Sequence, residues 1–212
     1  MKYEYLVFDL DGTISDPKDG VVRSINYALG SYGFDHRTEQ ELITFIGPPL
    51  DVIFSSLTGS NDAELITSFV AKYRERYSDV GYSENCLYNG IIEALDILSS
   101  IQEIKLGICT SKRVDFAERI LELFSLRHHF SFVNGGDVGI EKWQQLGSLL
   151  EQGDINQKTV MIGDRYIDIT AAQKNNLRSA GVLWGYGSHS ELSQYEPSHI
   201  FTSPCELVGL AE

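Results

Sequence analysis

The stretch Tyr5-Leu6-Val7-Phe8-Asp9-Leu10-Asp11-Gly12-Thr13 governs how the rest of the chain is read. Four apolar residues in a row, without polar alternation, predict a strand buried on both faces, and Gly12 predicts the turn that ends it. Asp9 and Asp11 stand two apart, so an extended backbone through Leu10 sends both side chains off one face. The strand is too apolar for the surface. Two carboxylates therefore converge at the carboxyl edge of a sheet, where doubly wound folds bind ligands. Unpaired there, they repel each other and call for a cation, a shared proton or both. Two plainer readings compete. A calcium loop also begins Asp-x-Asp, but it needs Gly sixth and Glu twelfth. Here Gly12 falls fourth and Gly20 twelfth, after a strand instead of a helix. A solvated turn stays open on these residues alone, since Asp and Gly are common turn formers.

Downstream the pattern changes twice. Between about Pro17 and Glu84 the apolar residues recur at helical spacing: Val21, Val22, Ile25, Ala28 and Leu29, then Leu42 to Ile46, Val52 to Leu57, and Leu65 to Tyr73. This predicts about four successive helices with no strand. From Asn89-Gly90 onward, helices and strands alternate. Strands are expected at Lys105–Cys109, Phe130–Val133, Thr159–Ile162 and Ala180–Trp184, with helices at Ile91–Ile101, Phe116–Phe124, Trp143–Leu150 and Ile167–Gln173. Alternation implies a parallel sheet with helices on both faces. The expected architecture is α/β, a doubly wound parallel-sheet (Rossmann-like) core over 1–15 and 85–212. A small α-helical cap over 16–84 is inserted after the first strand.

Composition narrows the function. Of 212 residues, 30 are acidic and 17 basic, a net charge of −13 that repels nucleic-acid backbones and anionic membranes. A small anionic substrate stays possible, because a metal ion inverts the potential inside an acidic site. The 42% apolar content supports a packed core. Cys86, Cys109 and Cys205 form neither a disulfide framework nor a CxxC pair, which suggests a reduced, cytoplasmic setting. The N-terminus has no long apolar run before its first acidic cluster, so no signal peptide is expected. No apolar run approaches the roughly 20 residues that span a bilayer.

Further carboxylates sharpen the first motif. Ile162 closes an apolar segment and runs into Gly163-Asp164-Arg165-Tyr166-Ile167-Asp168. Asp164 and Asp168, four apart at the start of an expected helix, share a face and meet the same sheet edge. Acidic residues at a helix start also suit its dipole, which is their structural explanation. Four carboxylates at strand ends on one edge, with room for water, suggest Mg²⁺. Thr110-Ser111-Lys112 brings hydroxyls and an amide that suit a phosphate oxygen, or simply cap the next helix. Lys142, after Gly135-Gly136, is a solvated charge or a reach toward the same edge.

Asp9-Leu10-Asp11-Gly12-Thr13, Thr110-Ser111-Lys112, Lys142 and Gly163-Asp164-x-x-x-Asp168 stand in the order of the four motifs of the haloacid dehalogenase-like hydrolase superfamily. The resemblance covers essentially the whole chain. The helical insert looks like that superfamily's C1 cap. Phe45-Ile46-Gly47-Pro48-Pro49-Leu50, Tyr88-Asn89-Gly90 and Val182-x-Trp184-Gly185-Tyr186-Gly187 resemble its phosphoglycolate phosphatase-like members. Trp143 follows Lys142 where that subgroup usually has Pro, which leaves Lys112 as the alternative phosphate-binding lysine.

The resemblance implies a phosphomonoesterase acting on a small phosphorylated metabolite, phosphoglycolate-type first, by way of an aspartyl-phosphate. Asp9 would be the nucleophile and Asp11 the acid and base. Thr110, Ser111 and Lys142 would bind phosphate. Asp9, the Asp11 carbonyl and Asp164 would hold Mg²⁺, with Asp168 beside them. An acid at Asp11 disfavours carbon–halogen chemistry, which has no alkoxide to protonate. A 5′-nucleotidase, a phosphomutase and an idle phospho-ligand binder are the competing functions. Neither nucleic acid nor membrane is an expected partner, and a monomer and a homodimer are equally compatible. Gly47-Pro48-Pro49 reads either as a stiff loop toward the leaving group or as the end of one helix, with Pro49 in the first turn of the next.

Overall fold

The computed structural model describes residues 3–211. Strand β1 (Tyr5–Phe8) leads through a turn to the short β2 (Ser15–Asp16). Four helices follow: α1 (Lys18–Ser31), α2 (Glu39–Leu42), α3 (Leu50–Thr58) and α4 (Ala63–Asp79). Strand β3 (Cys86–Leu87) then pairs antiparallel with β2, so the two chain crossings lie side by side. Alternation begins with α5 (Ile91–Ser99), β4 (Lys105–Thr110), α6 (Val114–Leu123) and β5 (Phe130–Gly135). It continues through α7 (Lys142–Gln152), β6 (Thr159–Gly163), α8 (Tyr166–Lys174), β7 (Arg178–Val182), α9 (His189–Ser193) and β8 (His199–Phe201).

Six strands form one parallel sheet in the order β5-β4-β1-β6-β7-β8, the doubly wound α/β architecture that the alternation predicts. The chain runs outward from β1 through β4 and β5, then returns to the other side of β1 with β6. The carboxyl ends of β4, β1 and β6 are therefore adjacent at the reversal of strand order, where such sheets open a crevice. Strand residues alternate between faces. Leu6 and Phe8 join Leu95 of α5 and Ile120 of α6, while Val7, Cys109 and Met161 join Leu146 and Leu149 of α7 and Ala172 of α8. Burial on both faces is why β1 and β6 read as unbroken apolar runs.

Helices α1 to α4 pack around a second cluster that includes Ile25, Leu29, Phe54, Phe69, Tyr73 and Tyr77, joined from the core by Phe116 of α6. Phe54 stacks on Phe69 at 5.3 Å and Tyr73 on Tyr77 at 5.2 Å, and such pairs add about 0.5–1.5 kcal/mol beyond area burial. Helix α4 starts at Asp62, whose carboxylate accepts from the Glu64 and Leu65 amides.

Several boundaries differ from the sequence reading. The last predicted strand comes two residues earlier, because the chain leaves the sheet at Trp184, whose indole donates to the Thr13 carbonyl. Strand β8 was not expected, since three residues carry no measurable period. Pro49 precedes α3 as its N-cap instead of lying in its first turn. Among the described residues no helix is long and apolar enough to cross a membrane.

Candidate active site

Asp9 leaves the end of β1 and is 2% exposed. Its Oδ1 accepts from the Leu10 amide at 2.8 Å, and Lys142 Nζ lies 2.9 Å from its Oδ2. Lys142 opens α7 and is buried, donating also to Asp168 Oδ1 at 2.5 Å. Burial works against its charge, but the Asp168 and Asp9 carboxylates outweigh it and hold the ammonium above its ordinary pKa.

Asp164 and Asp168 come together by a different route from the one expected. Asp164 precedes the helix, in the turn after β6, and only Asp168 lies within α8. Asp168 Oδ2 accepts from the Arg165 amide at 3.0 Å, so this carboxylate closes the helix start as well as meeting Lys142. Asp164 Oδ2 accepts from the Tyr186 amide at 2.8 Å, while its Oδ1 is buried without a partner among the described residues. One carboxylate oxygen from each of Asp9, Asp164 and Asp168 falls within 4.8 Å of the others. Burial raises Asp164 well above the carboxylate range and Asp168 to about 6, and the neighbouring carboxylates add to both. Gly12 makes the close approach possible. Its φ is +84°, and a Cβ there would stand 2.2 Å from Asp164 Oδ2.

Asp9 and Asp11 are not left unpaired with each other, as the spacing alone suggested; each has a lysine of its own. Lys112 Nζ lies 2.9 Å from Asp11 Oδ2, and Asp11 Oδ1 is buried with no partner among the described residues. Burial raises the Asp11 carboxyl above its ordinary value despite Lys112. Thr110 ends β4, its carbonyl accepting from the Gly136 amide at 2.8 Å and from Gln145 Nε2 at 3.0 Å. Neither Thr110 nor Ser111 caps α6, which begins after Arg113, so these hydroxyls are not helix caps.

Asp9, Asp11, Thr110, Ser111 and Lys112 line the core side of a cleft whose empty space, counted out to its solvent mouth, is about 690 Å³. The helices supply the other wall: Val21, Phe45, Gly47 to Leu50, Ile53, Tyr73, Arg74 and Tyr77. Polar contacts join the helices to the core around this cleft. Lys112 Nζ donates to the Tyr77 hydroxyl at 2.7 Å, and Arg74 meets Asp137 at 2.5 Å. Arg165 donates to the Ile46 carbonyl at 2.6 Å, and Arg119 to the Ser78 carbonyl at 3.0 Å. Sequence reasoning gave no role to Tyr77, Arg165 or the Tyr186 amide. Only Tyr186 carried a signal, as part of the Gly185-Tyr186-Gly187 motif.

A family profile described as "Haloacid dehalogenase-like hydrolase" matches residues 6–182. A "5'-nucleotidase" of Pseudomonas aeruginosa is 35% identical over 94% of this chain and 91% of its own length. A "Phosphoglycolate phosphatase" of Aliivibrio fischeri is 31% identical over 91% and 89%. The crystal structure of "a predicted phosphatase from Clostridium acetobutylicum" superposes with a TM-score of 0.93 at 33% identity, covering 99% of this chain and 98% of that one.

Proposed function

The chain belongs to the haloacid dehalogenase-like hydrolase family, and on that premise we propose that it is a metal-dependent phosphatase working through an aspartyl-phosphate on Asp9. The observation that carries the reading is the buried trio Asp9, Asp164 and Asp168 beyond the carboxyl ends of the adjacent strands β1 and β6, with Lys142 as its only ammonium among the described residues.

A divalent cation fits these residues. Three converging carboxylates exceed the charge of Lys142, and the buried Asp164 Oδ1 has no partner among the described residues. An all-oxygen set suits Mg²⁺. Asp9, the Asp11 backbone carbonyl and Asp164 would hold it. Asp168, with both oxygens already accepting hydrogen bonds, orients its neighbours from outside. When bound, the ion would supply positive charge that lessens the repulsion between the two anionic reactants.

Asp9 attacks phosphorus, and the bond from phosphorus to the ester oxygen breaks. Asp11 gives its proton to the departing oxygen and then takes one from the water that hydrolyses the aspartyl-phosphate. Free phosphate leaves and Asp9 is restored. Thr110, the Ser111 amide and Lys142 take the non-bridging oxygens, where charge spreads in the transition state. Residues 16–84 act as a lid whose hinge is the β2–β3 pair, excluding water during transfer.

The substrate is a small phosphorylated metabolite of the phosphoglycolate type. Arg74 at the cleft supports this, since its Nε is buried without a partner among the described residues and suits a carboxylate. A nucleoside 5′-monophosphate is the second reading, favoured by the aromatic faces of Phe45, Tyr73 and Phe116 around the same space. Phosphate release across a panel of esters tests both. The expected result is Mg²⁺-dependent turnover, abolished by EDTA and not restored by Ca²⁺. If no ester turned over faster than with Asp9→Asn, the chain would be a binding protein instead.

A further inference from the structure

Lys112 has two partners, drawn from opposite walls of the cleft. Its Nζ lies 2.9 Å from Asp11 Oδ2 and donates to the Tyr77 hydroxyl at 2.7 Å. The Lys112 side chain is 7% exposed and Tyr77 is 1% exposed. An ammonium withdrawn this far from water is costly unless its partners hold it. Lys142 does not replace it beside Asp11, since its ion pairs are with Asp9 and Asp168. On Asp11 the consequence is asymmetric. Oδ2 is engaged by the ammonium, while Oδ1 is buried, unpartnered among the described residues, and belongs to a side chain that lines the cleft. A carboxylate tied by one oxygen and free at the other is oriented for transfer at the free one.

Tyr77 makes that orientation depend on the helices. It belongs to α4, whereas Asp11 and Lys112 follow β1 and β4. Its ring stacks at 5.2 Å on Tyr73 of the same helix, so its hydroxyl goes where α4 goes, and across the seam it meets Phe116 of α6 edge-on at 5.1 Å. If α4 lifts from the core, Lys112 loses one of two partners and admits water, and Asp11 gains freedom to turn.

We propose that Lys112 is a positioning residue that aligns Asp11 with the departing oxygen, and that the Tyr77 hydroxyl completes this alignment only when the helical insert lies on the core. The proposal rests on Asp11 as the group that meets the leaving oxygen.

The test compares kcat/KM on an alkyl phosphate and on para-nitrophenyl phosphate, with saturating Mg²⁺. The variants are Lys112→Met, Lys112→Arg, Tyr77→Phe and Asp11→Asn, with the Lys112→Met/Asp11→Asn double variant. A small misplacement of a catalytic group costs about 10²-fold. That loss is expected for Lys112→Met on the alkyl ester, with little change on para-nitrophenyl phosphate, whose leaving group needs no proton. Lys112→Arg should recover part of it, and Tyr77→Phe should show the same selectivity to a smaller degree. Lys112→Met should add no selective loss to Asp11→Asn. An equal loss on both esters in Lys112→Met would make Lys112 a phosphate binder and overturn the proposal. So would a selective loss that adds in full to that of Asp11→Asn. Tyr77→Phe identical to the parent on both esters overturns the dependence on the insert. Tyr77→Phe removes one oxygen only, so the comparison survives if Lys112→Met fails to fold. If Asp11→Asn is itself unselective, the role of Asp11 falls and the proposal falls with it. A selective Asp11→Asn beside an unselective Lys112→Met rejects the proposal alone.

Discussion

Lys142 Nζ is 2.9 Å from Asp9 Oδ2, and Lys112 Nζ is 2.9 Å from Asp11 Oδ2. Two carboxylates two residues apart thus face two different cations, a difference that fits the separate roles proposed for them. Asp9 lies beside Asp164 and Asp168 in a fully buried cluster, where a nucleophile is shielded from water. Asp11 lines the cleft with its carboxyl pushed up by burial, the direction that the proposed acid role calls for. Asp9→Asn should therefore stop turnover of every ester. Asp11→Asn keeps the nucleophile and should cost roughly 10²–10⁴-fold in kcat/KM on alkyl phosphates, the range usual for general acid–base catalysis. On para-nitrophenyl phosphate its loss should be far smaller, and equal losses on the two esters would remove the acid role from Asp11. The acidic residues were legible in the sequence because each follows an apolar strand. The two lysine pairings were not: Asp11 and Lys112 are 101 residues apart, and only the sheet order makes their loops neighbours.

The loop after β6 links the acidic cluster to the helices through one side chain. Arg165 donates to the Glu191 carboxylate and to the Ile46 carbonyl, and its stem lies against Gly47. Gly47 has φ +119°, and a Cβ there would meet Arg165 Cγ at 3.2 Å, so any larger residue strains the loop before it can report on substrate. Arg165→Met is the cleaner probe, since it keeps the stem and removes the donor. A net hydrogen bond of about 1–1.5 kcal/mol predicts roughly a tenfold lower kcat/KM for a metabolite ester. Little change is expected on para-nitrophenyl phosphate, and parallel losses would mean that the Gly47–Pro49 loop does not select substrate. The same loop carries the pH behaviour. Burial raises Asp168 to about 6 in the fold, against about 4 in an unfolded chain, and Asp164 shifts the same way. A raised carboxyl binds its proton more tightly when folded, so its stabilising contribution is complete below about pH 4. It is lost as pH rises through 6. The melting temperature in EDTA should decline over that window. Mg²⁺ at a hundredfold excess over its Kd should return about 2.7 kcal/mol at pH 7, and less at pH 5, where protons compete. Equal Mg²⁺ shifts at both pH values would place the ion elsewhere. Helical and strand periods disclosed most of these elements, and the strand ends blurred because Gly163 and Gly135 continue the ladders into the loops.

At the scale of the whole molecule, the net charge of −13 and the pairing of cations in the cleft work in opposite directions. Lys112 faces Asp11, Arg74 faces Asp137, Arg113 faces Asp115, and Lys142 faces Asp9 and Asp168. Each cation near the site is matched locally by at least one carboxylate, so little attraction extends beyond contact distance. A dianionic ester approaching from solution meets mainly the field of the whole protein, which repels it. That field reaches far at low salt, with a Debye length of about 30 Å at 10 mM, and contracts to about 8 Å at 150 mM. Added salt should therefore help this enzyme capture an anion, the reverse of what a basic cleft would show. At fixed Mg²⁺, kcat/KM for a dianionic ester is expected to rise by about twofold or more between 10 and 150 mM potassium acetate. A substrate that carries an ammonium beside its phosphate should respond less, because its net charge is smaller. A steady fall over the same range for the dianionic ester would show that the site's own cations, and not the net charge, govern approach. In that event the paired lysines and arginines must come free of their carboxylates before substrate arrives.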